Sequence, residues 1–256
     1  MSQQETTDRI HFLKGTSSSF RFQCKACGRC CGEFRIALSP YDIIRLRRAS
    51  GLTTTELRKQ GFIHITRESF KKVFGFVPLS EMLEAFGVPR NDSVPLATLG
   101  FHPASNARAE CHFLTPESEG RRLCGIYKDR PTMCRLHPLG FVTVAGRRRW
   151  FFRQPFCEAA EAPPHTVVEW IRTSRLAPFL RANARYLRWM RDLLAESEHL
   201  ASIPEHHWQS LAIILYDFDS LNPSAHGFKL GENSRVSISV LERLFYQWLE
   251  SLNLAQ

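Results

Sequence analysis

The chain lacks the features that mark several large protein classes. No apolar run approaches the roughly 18 residues of a membrane-crossing helix, so no membrane span is expected. The opening stretch, MSQQETTDRIHFLKG, is polar and has no apolar segment ahead of a small-residue cleavage site. A secretory signal is therefore not expected, and a cytoplasmic location is. Cysteine is sparse for a disulfide scaffold: there are eight in 256 residues, where stapled domains carry about 8–10%. There is no internal repeat and no low-complexity tract. The G-x-S-x-G, H-E-x-x-H and G-x4-G-K-[ST] patterns are missing, which removes the common hydrolase, zinc-protease and phosphate-loop readings. C-x3-C-x2-C, the pattern that resembles radical S-adenosylmethionine enzymes, is missing too.

What is present is ordinary globular material, 43% apolar and 23% charged. A chain of this length buries roughly 70–75% of its unfolded surface, enough for a core without staples. The net charge of +9 is unevenly spread. Residues 1–162 hold 25 lysines and arginines against 15 acids, while residues 163–256 hold 9 against 10. All eight cysteines fall in the basic segment. A basic region commonly meets a polyanion. A second cause competes, because a zinc ion or an oxidised four-iron cluster held by four thiolates is itself doubly negative, and nearby arginines would stabilise it. Compensation of metal-bound thiolate is the reading preferred here, so nucleic acid is not the expected partner. An unidentified protein or small molecule is.

The composition changes near Ala162-Pro163-Pro164. The predicted organisation is an N-terminal extension (1–19), a cysteine-cluster metal-binding domain (20–162) and a helical C-terminal region (163–256). The fold class is α+β: a small mixed cysteine-rich region with short strands, packed against the helical part. Four helices are predicted in that part. Thr166 with Glu169 forms a capping box, and Pro178 opens the second helix in its first turn. Ser202 with Glu205 opens the third, and Ser239 with Glu242 the fourth. Their aromatic residues are read as core packing rather than a binding surface. In the first half, residues 34–38 read as a strand. Ser39-Pro40 with Asp42 starts a helix that Gly51 ends. Thr54 or a neighbour caps a short helix that stops at Gly61. Residues 62–66 read as a strand, 80–86 as a short helix, 88–109 as loop, and 141–144 with 149–152 as a hairpin.

The cysteines carry the chemistry. Cys24-Lys-Ala-Cys27-Gly28-Arg-Cys30-Cys31 comes first, then Cys111, Cys124, Cys134 and Cys157. Disulfides need an oxidising compartment. Neighbours such as Cys30 and Cys31 would bridge only with strain, since bridged α-carbons usually stand about 4.4–6.8 Å apart. Core packing explains a lone cysteine, but not four within eight residues flanked by Lys25 and Arg29. Metal binding remains. Thiolates at x2 spacing can face one ion across a tight turn, and Gly28 suits that turn. Structural zinc usually takes cysteines in pairs, whereas three in a row at x2 spacing is the iron–sulfur pattern. Cys31 projects differently from Cys30 and could serve a second centre. The favoured cofactor is an iron–sulfur cluster, and zinc is the alternative. Between Cys124 and Pro138, Arg130 and Arg135 can donate hydrogen bonds to thiolate sulfur, and Tyr127 lies beside them. His137, at x2 from Cys134, is the best histidine ligand candidate, although a structural histidine is the plainer reading. His206-His207 read as solvated.

In these residues the chain resembles the bacterial CxxCxxCC cysteine-cluster family, described as zinc- or iron-chelating proteins. The resemblance rests on Phe22-Gln-Cys24-Lys-Ala-Cys27-Gly28-Arg-Cys30-Cys31, then Cys111-His-Phe113-Leu114, then Cys124-Gly-Ile126-Tyr127, Arg130-Pro131 and Cys134-Arg135-Leu-His-Pro138, and finally Cys157. It implies that the cysteines bind metal. It also implies a distant relation to flagellin lysine-N-methylases, which carry a similar cluster, although no glycine-rich methyl-donor loop follows a strand here. Three functions follow as expectations. The first is a cytoplasmic metal-cluster protein in redox, metal handling or cluster-supported modification. The second is a protein-modifying, methyltransferase-like enzyme. The third is a zinc-stapled module that presents Arg147-Arg148-Arg149 to nucleic acid.

Overall fold

The computed structural model describes residues 10–33, 36–69, 93–103, 109–116, 121–144, 147–154, 162–195, 203–220 and 237–254. Strands β1 (Ile10–Phe12) and β2 (Ser19–Arg21) lead to the cysteine-rich turn and α1 (Cys30–Glu33). Then come β3 (Ala37–Leu38), α2 (Pro40–Ser50), α3 (Thr54–Lys59), β4 (Ile63–Ser69) and β5 (Ser93–Leu99). The short strands β6 (Phe101–Pro103), β7 (Ala109–Cys111), β8 (Leu114–Pro116) and β9 (Arg122–Cys124) follow. α4 (Thr132–Leu136) precedes the hairpin of β10 (Leu139–Val144) and β11 (Arg147–Arg153). β12 (Pro164–Thr166) runs into α5 (Val167–Thr173), and α6 (Ala177–Ala195), α7 (Glu205–Tyr216) and α8 (Ile238–Leu254) close the order. The class is α+β, as expected.

The strands form small antiparallel sheets. β1, β11 and β10 make one, β3, β5 and β4 another, and β12–β2, β6–β7 and β8–β9 are two-stranded ribbons. Ser39 caps α2 with Asp42 as the reciprocal partner, Pro40 sits in the first turn, and Gly51 ends the helix at φ 72°. Thr53, the neighbour of Thr54, caps α3 with Glu56. Thr166 caps α5 with Glu169. The Ser39 start and the Thr166–Glu169 box are where the sequence predicts them, and each box satisfies otherwise orphaned N–H groups.

Several expectations change. Residues 93–99, read as loop, are the middle strand of the β3–β5–β4 sheet. Val94, Leu96, Ala97, Thr98 and Leu99 are all buried, so the strand is covered on both faces and shows no polar–apolar alternation. Pro95 further disguises it. The third helix starts at Glu205 with Pro204 at its cap position and no side-chain cap. At α8, Ser237 rather than Ser239 takes the amide of Val240, at 3.4 Å. Glu242 instead reaches across to α6, accepting from Trp189 Nε1 at 3.0 Å and from Arg185. The strand predicted over 34–38 is described only at Ala37–Leu38. The helix predicted over 80–86 and the turn at Ala145-Gly146 lie outside the described residues.

Two cores organise the molecule. The larger joins both halves of the chain: Leu38, Ile43, Leu46, Leu57, Ile63 and the β5 residues pack with Trp189, Trp208, Tyr216, Phe245 and Trp248. The helical aromatic residues are core, as predicted. Cys111 and Phe113 belong to this core, and Cys31, Cys124 and Cys134 pack against it. The smaller core sits under the β1–β11–β10 sheet and includes Phe20, Phe22, Leu136, Leu139, Trp150 and Val167. α4 lies where the two meet, with Cys134 against the first and Leu136 in the second.

Candidate metal centre

The first cysteine motif is a turn that enters the left-handed region twice, at Ala26 (φ 53°) and Gly28 (φ 70°). Gly28 is required for two reasons. An L side chain is strained at that φ, and its β-carbon would meet Arg122 Cδ and Leu114 Cδ2 at 3.0 Å. The Cys31 amide donates to the Gly28 carbonyl at 3.0 Å, winding the chain into α1. The Arg122 amide donates to the Ala26 carbonyl at 2.6 Å, and Cys27 bridges to Arg122, so the turn is stitched to β9. A β-carbon at Gly32 would lie 2.2 Å from the Ala109 carbonyl oxygen. That approach brings α1 onto β7.

The later cysteines are delivered by strand ends. Cys111 closes β7, and Cys124 closes β9 opposite Leu114 of β8. The Gly125 amide donates to the Phe113 carbonyl at 2.8 Å, tying the end of β9 to the turn after Cys111. An ion pair between Arg122 and Glu110 joins β9 to β7. Cys134 sits in the middle of α4, and Asp42 positions that helix. The Asp42 carboxylate is buried; one oxygen accepts from the Ser39 amide and hydroxyl at 2.9 and 2.7 Å. The other accepts from the Thr132 amide and hydroxyl, both at 2.7 Å. One side chain thus starts both α2 and α4. The loop from Gly125 to Arg130 is held by Arg45, which pairs with Asp129 and donates to the Lys128 carbonyl.

The seven described cysteines are all free thiols, and Cys157 lies outside the described residues. Their charges act on one another, and Cys31 is common to the early and the late cysteines. Burial pushes Cys134 well up from the ordinary thiol range, and the charges of Cys111, Cys31 and Cys124 add to the effect. Burial likewise pushes Cys111 up to about 12, with Cys124 and Cys31 contributing. Cys124 is raised by burial and by Cys31, while the Arg130 cation opposes. Around Cys30 the neighbours are Cys31, Cys24 and Cys27. A hydrogen bond between Cys30 and Cys31 raises Cys30 and lowers Cys31 to about 7, with Arg130 favouring the Cys31 thiolate. Among the described residues no three His, Cys, Asp or Glu side chains stand as a formed metal site. Burial holds the protons on Cys111, Cys124 and Cys134, and a bound metal would have to displace them.

The CxxCxxCC family model, described as "putative zinc- or iron-chelating domain", matches residues 23–158, just over half of the chain. The chain belongs to this family. The match spans every cysteine of this CxxCxxCC protein, from Cys24 to Cys157. No curated protein and no solved structure matches it. No helix among its described residues is long and apolar enough to cross a membrane.

The other predicted site residues divide by location. Arg130 lies over the Tyr127 ring, 4.2 Å from its centroid, and its charge acts on Cys31 and Cys124. Tyr127 is exposed and serves as the platform for that cation. Arg135 instead donates to the carbonyls of Lys128 and Ser174 and lies 4.4 Å from the Phe179 ring centroid, so it braces α4 against α6. The rings of His206 and His207 lie tilted against each other, 4.3 Å between centroids, with His206 exposed. Two contributors were not visible in the sequence: Arg122, which ties the first motif to both later strands, and the second oxygen of Asp42.

His137 packs edge-on against Phe22, 5.4 Å between centroids. Burial lowers it to about 4, helped by the Arg153 and Arg130 cations, so it is neutral at neutral pH. Unfolded histidine titrates near 6.5. Between those values the unfolded chain binds a proton that the fold does not, so stability falls as pH drops from about 7 toward 4. The full loss through this residue is about 3 kcal/mol, and about 2 kcal/mol of it is gone by pH 5. Urea midpoints for the native protein and His137→Gln at pH 7 and pH 5 measure it. The variant should lose less by about that amount, and parallel losses would refute the assignment.

Proposed function

We propose that this CxxCxxCC protein holds two thiolate-bound iron–sulfur centres and works in redox chemistry. Cys31, Cys111, Cys124 and Cys134 supply the first. Cys24, Cys27 and Cys30 supply three ligands of the second, and Cys157 is the fourth. The observation that carries the reading is that Cys31, Cys111, Cys124 and Cys134, on four separate segments, lie near enough for their charges to act on one another. The close packing of Gly32 on Ala109 and the Arg122–Glu110 pair support that gathering.

The donor set fits the cofactor. Soft thiols select zinc or iron–sulfur clusters over hard cations. Three cysteines at x2 spacing favour iron–sulfur over zinc. Arg130 beside Cys31 and Cys124 offsets thiolate charge, the role of a cation that tunes a metal site. When bound, the clusters would accept and release single electrons. The chain's own part is to hold the sulfurs, exclude water from Cys111 and supply the Arg130 cation.

Purification without oxygen, followed by iron, acid-labile sulfide and zinc assays, tests this. Brown protein with matched iron and sulfide is the expected result. Colourless protein with stoichiometric zinc would replace the iron–sulfur reading with a structural one.

A further inference from the structure

We propose that the outer face of the β1–β11–β10 sheet binds single-stranded nucleic acid. The argument is independent of which metal the thiols hold. Side chains alternate along a strand, and directly paired residues share a face. Leu139, Phe141, Trp150 and Phe152 therefore take one face, where they join or pack against the smaller core. The opposite face carries Phe12, Phe151, Arg149 and Arg147.

This outer face is aromatic and cationic together. Phe12 is 43% exposed, one of the few large apolar side chains so placed among the described residues. Its ring meets Phe151 edge-on, with 6.0 Å between centroids and 68° between planes. Phe151 lies across Gly140 of β10, where a β-carbon would come within 2.1 Å of the ring. The Arg149 guanidinium stands 5.2 Å from the Phe12 centroid, and Arg147 and Arg149 are exposed. The three strands contain no aspartate or glutamate.

An aromatic pair with adjacent guanidinium planes on a sheet face suits unpaired bases, which stack on rings while arginines take the phosphates. An acidic peptide would satisfy the arginines but leave Phe12 and Phe151 without stacking partners. A duplex keeps its bases stacked internally and cannot use them. Occupancy by a single strand uses both features.

Fluorescence anisotropy with the full chain and labelled oligo-dT and oligo-U tests the proposal. Binding is expected to weaken steeply with added salt. Phe12→Ala should weaken binding about tenfold with the melting temperature unchanged. Phe12→Trp should retain affinity and show tryptophan quenching by the bound strand. Arg149→Ala should weaken binding and flatten the salt dependence. Absence of binding at low salt would overturn the proposal. So would equal affinity of the native protein and Phe12→Ala, or equal binding of duplex or polyglutamate.

Discussion

Cys134→Ala will empty one centre and leave the other. Cys134 is raised well above the ordinary thiol range, chiefly by burial, and the charges of all three partners of the proposed first centre act on it. Removing it leaves Cys31, Cys111 and Cys124 without a fourth sulfur, around a cavity the size of a thiol. Bound metal contributes folding free energy directly, about 10–16 kcal/mol for structural zinc in small peptides. A larger core will show less, but a loss of several kcal/mol is expected along with about half of the metal. Cys24→Ala should remove metal from the second centre and leave melting closer to native, because Cys24 is exposed and belongs to neither core. Metal analysis and thermal melting of both variants decide it. Loss of all the metal in either single variant would dissolve the division into two centres. Unchanged metal in Cys134→Ala would remove that residue from the ligand set.

Asp42→Ala is the second large effect, and it needs no metal to be seen. Four hydrogen bonds from Ser39 and Thr132 converge on this buried carboxylate. Bonds to a charged group are worth about 1.5–3 kcal/mol each in mutational series, and they do not add fully when they share an acceptor. A loss of about 3–4 kcal/mol is therefore expected. Asp42→Asn will recover only part, since its amide nitrogen faces donors where the carboxylate had an acceptor. Thr132→Val should cost less and be strongly non-additive with Asp42→Ala. Chemical denaturation of the two single variants and the double variant measures the coupling. Additive losses would mean that the carboxylate does not link the two helices.

The sequence is most informative where structure is set locally. The Ser39–Asp42 and Thr166–Glu169 boxes, and Pro178 in the first turn of α6, depend on residues a few positions apart. β5 is hidden for the opposite reason, since its partners arrive from β3, β4 and α7 and bury it on both faces. The start of α8 is displaced because Glu242 is used by Arg185 and Trp189 of α6 instead of by a cap. At the candidate site, the run from Cys24 to Cys31 is legible from spacing, whereas Cys111, Cys124 and Cys134 are singled out by the family resemblance. Gly32 against Ala109, Arg122 between Ala26 and Glu110, and the Thr132 end of Asp42 are contacts between distant segments, and no local pattern announces them. Arg135 shows the converse. Its neighbours in sequence suggest sulfur, while the fold turns its guanidinium toward Phe179 and backbone carbonyls.

The position of Asp42 also bears on motion. Because one carboxylate begins α2 and α4, the first turns of these two helices form a single cooperative unit, although ninety residues separate Asp42 from Thr132. Neither turn can fray without stripping a buried anion of half its donors. Release of sulfur at α4 and loosening of the helix that supports the β3–β5–β4 sheet are then one event, so the partly buried Cys134 moves only together with part of the main core.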